Sequence, residues 1–295
     1  MATQSPDYEE VFGVTVSRER METAKTAGFH LMLWSLIFIV MLPIIWMIMV
    51  SFYRMPFYRF LADPMIFFEG ANLNAYRQML FGTHFPIWFR NSVIVTLGAT
   101  VLSIVICTFG AYSIGRLRFK GRRPVATFLL LTQMFPLILI AIPIFLIFRD
   151  LGLANSLTGL IFAYVAFVLP FAIWMLRGFY ENLPESLEEA AMIDGSTRIG
   201  AVLRVIVPLS APAIATTAIF AWIFAWNEFV MVLILVNDPN RKTLPPGLAE
   251  WIGQFAVNWD LLMAGAVGAT VPLFIVLFFL QKYIVHGLAE GAVKT

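Results

Sequence analysis

The sequence predicts an all-α, polytopic membrane protein of six transmembrane helices with both termini in the cytoplasm, on three observations. Of 295 residues, 60% are apolar and only 13% are charged. An average soluble domain carries about 45–50% apolar and about 25% charged residues, and so little charge cannot cover a folded surface of this size. The apolar residues also fall in six long runs almost free of charge. Finally, Lys and Arg gather on one side of those runs, 13 against 7. The net charge of +2 gives no reason to expect a polyanionic partner, so lipid is an expected partner and nucleic acid is not.

A bilayer core of about 30 Å needs roughly 20 helical residues at 1.5 Å each. Residues 1–26, with five acidic side chains, form a cytoplasmic tail. Residues 27–281 form the six-helix domain and 282–295 a second cytoplasmic tail. The spans are Ala27–Phe52, Asn91–Ile114, Val125–Phe148, Leu157–Leu176, a fifth from Pro208–Ala211 to Val236, and Leu261–Gln281. They are continuous and too long for barrel strands. The first apolar run is also too long for a cleavable signal sequence. Prolines 43, 136, 143, 170, 212 and 272 are candidate kinks.

Orientation follows from the positive residues. Arg116, Arg118, Lys120, Arg122 and Arg123 lie between spans two and three, which makes that loop cytoplasmic. The loop after span four then shares its side. On the opposite side, Tyr53–Arg90 has room for a short surface helix around Leu73–Leu80, and Asn237–Asp260 suits an ordered loop. The lone Cys107 cannot form an intrachain disulfide.

The loop at 177–207 carries the functional argument. Ser186 and Glu189 have the spacing of a capping box, and Gly195 suits the left-handed position that ends a helix. The two turns between them are too short to stand alone in water. Leu187, Ala190 and Ala191 share one face and predict docking. Ser196 or Thr197 caps a second helix through Val205, and Pro208 marks the start of span five. Local pattern alone leaves two readings open, a capped surface helix resting on its own bundle and a coupling element that passes force from a partner.

The wider spacing separates them. Glu189, Ala190 and Ala191, then three residues and Gly195, then nine residues and Val205 to Pro208, resemble the EAA signature of binding-protein-dependent ABC importer permeases. Val205 and Val207 replace the usual Ile and Leu. Arg118–Gly121, Ala163–Tyr164, Trp226–Phe229 and Gly287–Lys294 resemble the carbohydrate-uptake group, in particular the six-span subunit of the maltose importer. The resemblance implies a type I importer permease fold in a bacterial inner membrane, working by alternating access. It also implies a second homologous permease, two cytoplasmic ATPase subunits holding ATP and Mg, an extracytoplasmic solute-binding protein and an oligosaccharide substrate, maltodextrin-like or alginate-like. Ser186, Leu187, Glu189, Ala190, Ala191, Asp194, Gly195 and Pro208 would then form the ATPase-coupling element. By position, Asn237–Asp260 would reach the binding protein, and Gly291–Thr295 the ATPase interface.

No phosphate-cradling G-x-x-x-x-G-K-[ST] loop and no H-E-x-x-H pair occurs, so the chain is read as a non-enzymatic subunit with no cofactor or metal of its own. An ion-coupled transporter or channel would need ionisable relays in several spans. Only Glu228 offers such a group, near the outer end of span five. It reads either as part of the translocation pathway, with Asn227, Trp222 and Trp226, or as a hydrated carboxylate beside ordinary interfacial tryptophan.

Overall fold

The computed structural model describes residues 8–11, 14–53, 71–253 and 257–292. Helix α1 (Arg18–Phe52) is followed by the short α2 (Asn74–Phe81), close to the surface helix expected at Leu73–Leu80. Helix α3 (Phe85–Arg116) is the second long helix. Then come α4 (Arg122–Thr132), α5 (Leu137–Asp150) and α6 (Leu157–Glu181). The 177–207 loop holds α7 (Ser186–Ile193), and α8 spans Arg198–Leu209. Helix α9 (Ala211–Asn227) and α10 (Val230–Leu235) precede α11 (Leu244–Ala249) and the long α12 (Trp259–Ala292).

The structure adds detail to three expectations. Strands Tyr8–Val11 and Val14–Ser17 pair antiparallel ahead of an otherwise helical chain; Val11, Val14 and Val16 supply β-branched residues to the hairpin. Helix α1 starts inside the predicted tail and α12 runs on into the other, because neither the charged flank Arg18–Lys25 nor Lys282–Ala292 contains a proline. Residues 293–295 of the second tail, and 54–70 of the loop after span one, lie outside the described residues.

The third concerns the spans. Glu22–Phe52, Phe85–Arg116, Leu157–Glu181 and Trp259–Phe279 are each long and apolar enough to cross a bilayer. The other two expected spans are bent pairs, α4 with α5 at 102° and α8 with α9 at 81°. Pro136 stands at the N-cap of α5, where it lacks a donor and disfavours helical geometry at Phe135. The Gln133 side chain fastens this break by donating to the Phe167 carbonyl at 3.0 Å. Pro208 lies inside α8, and the bend before α9 falls at Ser210, within the Pro208–Ala211 start expected for span five. One turn before Pro208, residues Val202–Ile206 widen into a π-helix in which Val207 N–H donates to the Val202 carbonyl. The wider turn relieves the clash between the proline ring and the carbonyl four residues back.

Helix α3 packs along α6, and α9 packs on both. Small buried residues at these contacts, Ala99, Ala111, Ala163 and Ala172, let backbones approach, which is how helices associate where lipid is as apolar as leucine. Large side chains fill the remaining space: Tyr180, Leu176 and Ile206 at one end, and Trp88, Trp222 and Trp226 at the other. Helix α1 instead exposes an apolar surface along most of its length and packs on α12. Ser51 secures its end through a 2.7 Å hydrogen bond with the Tyr76 hydroxyl of α2. Helix α3, about 48 Å long at 1.5 Å per residue, therefore joins two ends of the bundle that carry different structures.

Candidate functional site

At the first end, α7 is held from behind. Arg116, in the last turn of α3, donates from Nε to Glu188 Oε1 at 2.7 Å. Its Nη atoms donate to the carbonyls of Leu183 (2.7 Å) and Pro184 (3.2 Å), in the turn between α6 and α7. Tyr112, one helical turn back, donates to Glu188 Oε2 at 2.9 Å. The two charged side chains are only 6% and 12% exposed. A carboxylate fully engaged by a guanidinium and a phenol is the arrangement that makes a buried ion pair tolerable. By contrast, the nearby Arg118–Glu185 pair, at 3.3 Å, is 80% and 63% exposed and adds little.

The far side of α7 is open. Glu189, Ala190 and Asp194 are exposed, Ile193 is 85% exposed, and Ile199 and Leu203 of α8 are also uncovered. The expected docking face therefore splits. Leu187 and Ala191 are half-buried against the chain itself, whereas Ala190 faces outward with Glu189. The capping box does not form: Glu185 is the N-cap, its backbone is already helical (φ −63°, ψ −31°), and no side chain caps the helix. Pro184 begins the turn, with Leu187 N–H donating to its carbonyl at 3.4 Å, so Ser186 lies inside the first turn.

The other end of α7 matches expectation. Gly195 has φ +88°, its N–H donates to Met192 O at 3.1 Å, and Ser196 N–H reaches Ala191 O at 3.0 Å. Those two bonds make a Schellman stop. The Thr197 hydroxyl then accepts from Gly200 N–H at 3.1 Å and starts α8.

The opposite end carries a strapped loop. Trp88 Nε1 donates to Pro239 O at 2.9 Å, and Asn91 Nδ2 donates to Asn240 O and Lys242 O at 2.8 and 2.9 Å. Leu244 N–H donates to Ser92 Oγ at 2.7 Å. From the turn before α6, Asn155, at φ +53°, accepts the backbone N–H of Asp238 at 3.1 Å. Asn237–Trp251 is thus an ordered platform built on α3. No local sequence pattern marks Trp88, Asn91, Ser92 or Asn155 for this role, since their partners lie more than 80 residues away.

The expected pathway residues separate. Trp222 and Trp226 stack with rings 5.8 Å apart and 9° between planes, buried beside Trp88 and Leu244. Trp226 Nε1 donates to Ala269 O at 3.1 Å. Asn227 is exposed and bonds back to Ile223 O, whereas Glu228 is buried at the break between α9 and α10. The two therefore do not share an environment.

Comparison with known proteins agrees with this architecture. Residues 108–290 match the family described as binding-protein-dependent transport system inner membrane component. The chain is 39% identical to the trehalose/maltose transport system permease protein MalG of Thermococcus litoralis, over 87% of this chain and 92% of that one. It is 39% identical to the diacetylchitobiose uptake system permease protein DasC of Streptomyces coelicolor, over 79% and 84%. Among solved structures, it resembles a chain of a bacterial ABC transporter involved in the import of the acidic polysaccharide alginate. That match has a TM-score of 0.75 and 24% identity, over 91% of this chain and 98% of that one. The chain belongs to the binding-protein-dependent transport system inner membrane components, as a permease of the sugar-importing ABC type.

Proposed function

We propose that this permease carries an oligosaccharide by alternating access and takes its driving force through α7 from a separate ATPase. One observation carries the proposal: α7 is anchored from behind by Glu188, Arg116 and Tyr112 while Glu189, Ala190 and Ile193 face away from the chain. A two-turn helix fixed at its back, with Ala190 and Ile193 set beside the acidic Glu189 and Asp194 on its open face, is suited to a protein groove that offers apolar and basic contacts, in the helix-in-groove manner. α7 faces the cytoplasm, as the distribution of positive charge predicts. Two ATPase subunits bind ATP and Mg, and a second, homologous permease completes the pathway. When the ATPase dimer closes, it displaces α7. Because α7 packs on α8 and is pinned to α3, the displacement passes both to span five and to the full length of span two. The platform at Asn237–Trp251 meets the extracytoplasmic binding protein. A solved neighbour is described in complex with an alginate pentasaccharide-bound periplasmic protein, and the relatives named above carry disaccharide names, which supports an oligosaccharide substrate.

Two substitutions test the grip while sparing the anchor. Glu189→Lys reverses an exposed charge. Gly195→Ala forces a Cβ into left-handed backbone at a point with no other atom within 4 Å, so its cost is conformational, about 1–2 kcal/mol. Both variants are expected to reach the membrane. Glu189→Lys should lose the ATPase subunit on purification in mild detergent, and Gly195→Ala should retain it more weakly. Retention equal to wild type in both would refute the proposal.

A further inference from the structure

The fold leaves a polar cluster that the coupling account does not use. Glu228, at the break between α9 and α10, is 7% exposed; Tyr164 of α6 is 0% exposed and Thr243, at the N-cap of α11, is 4% exposed. Glu228 Oε1 accepts the Met231 N–H at 2.9 Å and so starts α10. Its Oε2, the Tyr164 hydroxyl and the Thr243 hydroxyl are all buried without a geometrically good hydrogen bond. Tyr164 nevertheless lies beside both Glu228 and Thr243. The three groups thus have one another as polar neighbours in a place closed to solvent, and a buried polar cluster of this kind calls for an explanation.

Their positions supply one. Each belongs to a different part: Tyr164 to span four, Glu228 to the upper break of span five, and Thr243 to the strapped platform. Helix α9 has a break at each end, Ser210 below and Glu228 above, and is a rigid rod of about 25 Å between them. The lower break adjoins α8, on which α7 packs. We propose that Glu228, Tyr164 and Thr243 form an adjustable junction that passes movement of α9 to the platform. Their mutual hydrogen bonds tighten or loosen as α9 moves. These are positioning residues: they act through the platform and do not touch the transported sugar.

The proposal rests on the coupling reading above, and one experiment separates the two. Amide hydrogen exchange is measured on the complex of this chain with its partner permease and ATPase, with and without ATP and vanadate. In wild type, exchange should change at residues 186–209 and also at 237–250. Tyr164→Phe, Glu228→Gln and Thr243→Val keep side-chain shape while removing a hydroxyl or a charge. Each should preserve the response at 186–209 and lose it at 237–250. Because one junction is broken only once, Tyr164→Phe with Glu228→Gln should do no more than either alone. No wild-type response at 186–209 would sink the coupling reading. A wild-type response there but not at 237–250, or a response at 237–250 that survives in all three variants, would overturn the junction.

Discussion

Glu188→Ala is expected to abolish uptake by the assembled importer while leaving the chain inserted in the membrane. The substitution removes both oxygens that Arg116 and Tyr112 engage and strands a guanidinium that is 6% exposed. Removing one member of a buried pair costs about 3–5 kcal/mol, since the other charge stays desolvated. At about 1.4 kcal/mol per tenfold, docking of α7 on α3 would weaken by roughly two to nearly four orders of magnitude. Two controls make the result interpretable. Glu185→Ala removes only the exposed pair with Arg118 and should change uptake little. Replacing Arg116 and Glu188 together by Met restores an apolar contact of similar volume and should recover part of the loss. Uptake in proteoliposomes, with amide exchange across α7, checks all three; normal uptake by Glu188→Ala would show that the anchor transmits nothing.

The second large effect is expected at the other end of α3. A Cβ on Gly247 would lie 2.3 Å from Trp88 Cδ2 and 2.4 Å from Cε3. The indole is 2% exposed and its Nε1 is committed to Pro239 O, so it cannot turn aside without losing that bond. Overpacking of this kind costs about 1–3 kcal/mol, and here it falls on the contact that seats α11. Gly247→Ala should therefore abolish stimulation of ATPase activity by the binding protein while basal hydrolysis continues. Shortening the opposing side chain, as Trp88→Leu with Gly247→Ala, makes room and should return part of the stimulation. ATPase assays on the reconstituted complex decide this, and a fully stimulated Gly247→Ala would mean the platform's placement is irrelevant to docking.

These two sites differ in how far the sequence revealed them. The long helices were legible because hydropathy reports burial in lipid directly, and Gly195 was legible because left-handed backbone favours glycine. Helix direction is another matter. Runs 125–148 and 208–236 are as apolar as the rest, yet hydropathy is blind to a bend, and of the candidate prolines Pro143, Pro170 and Pro272 sit within helices while Pro136 marks a break. No local pattern distinguishes Glu188 from Glu189, because its partner Arg116 lies 72 residues away. The capping box failed for a local reason: Pro184 starts the turn two residues before Ser186, so the serine has no free N–H to cap. The outward face was readable in retrospect from Ile193, four residues after Glu189 and thus on the same side of the helix.

Docking of α7 on the ATPase is read out by a cysteine at the most exposed apolar point of the helix, as Ile193→Cys. Cys107, the one native cysteine, is fully buried and does not compete. A short bifunctional thiol reagent applied to the assembled complex should join residue 193 to the ATPase subunit, with a yield that changes on adding ATP. In intact spheroplasts the same cysteine should resist a membrane-impermeant maleimide. Labelling from outside, or cross-links confined to the permease's own chain, would contradict the account.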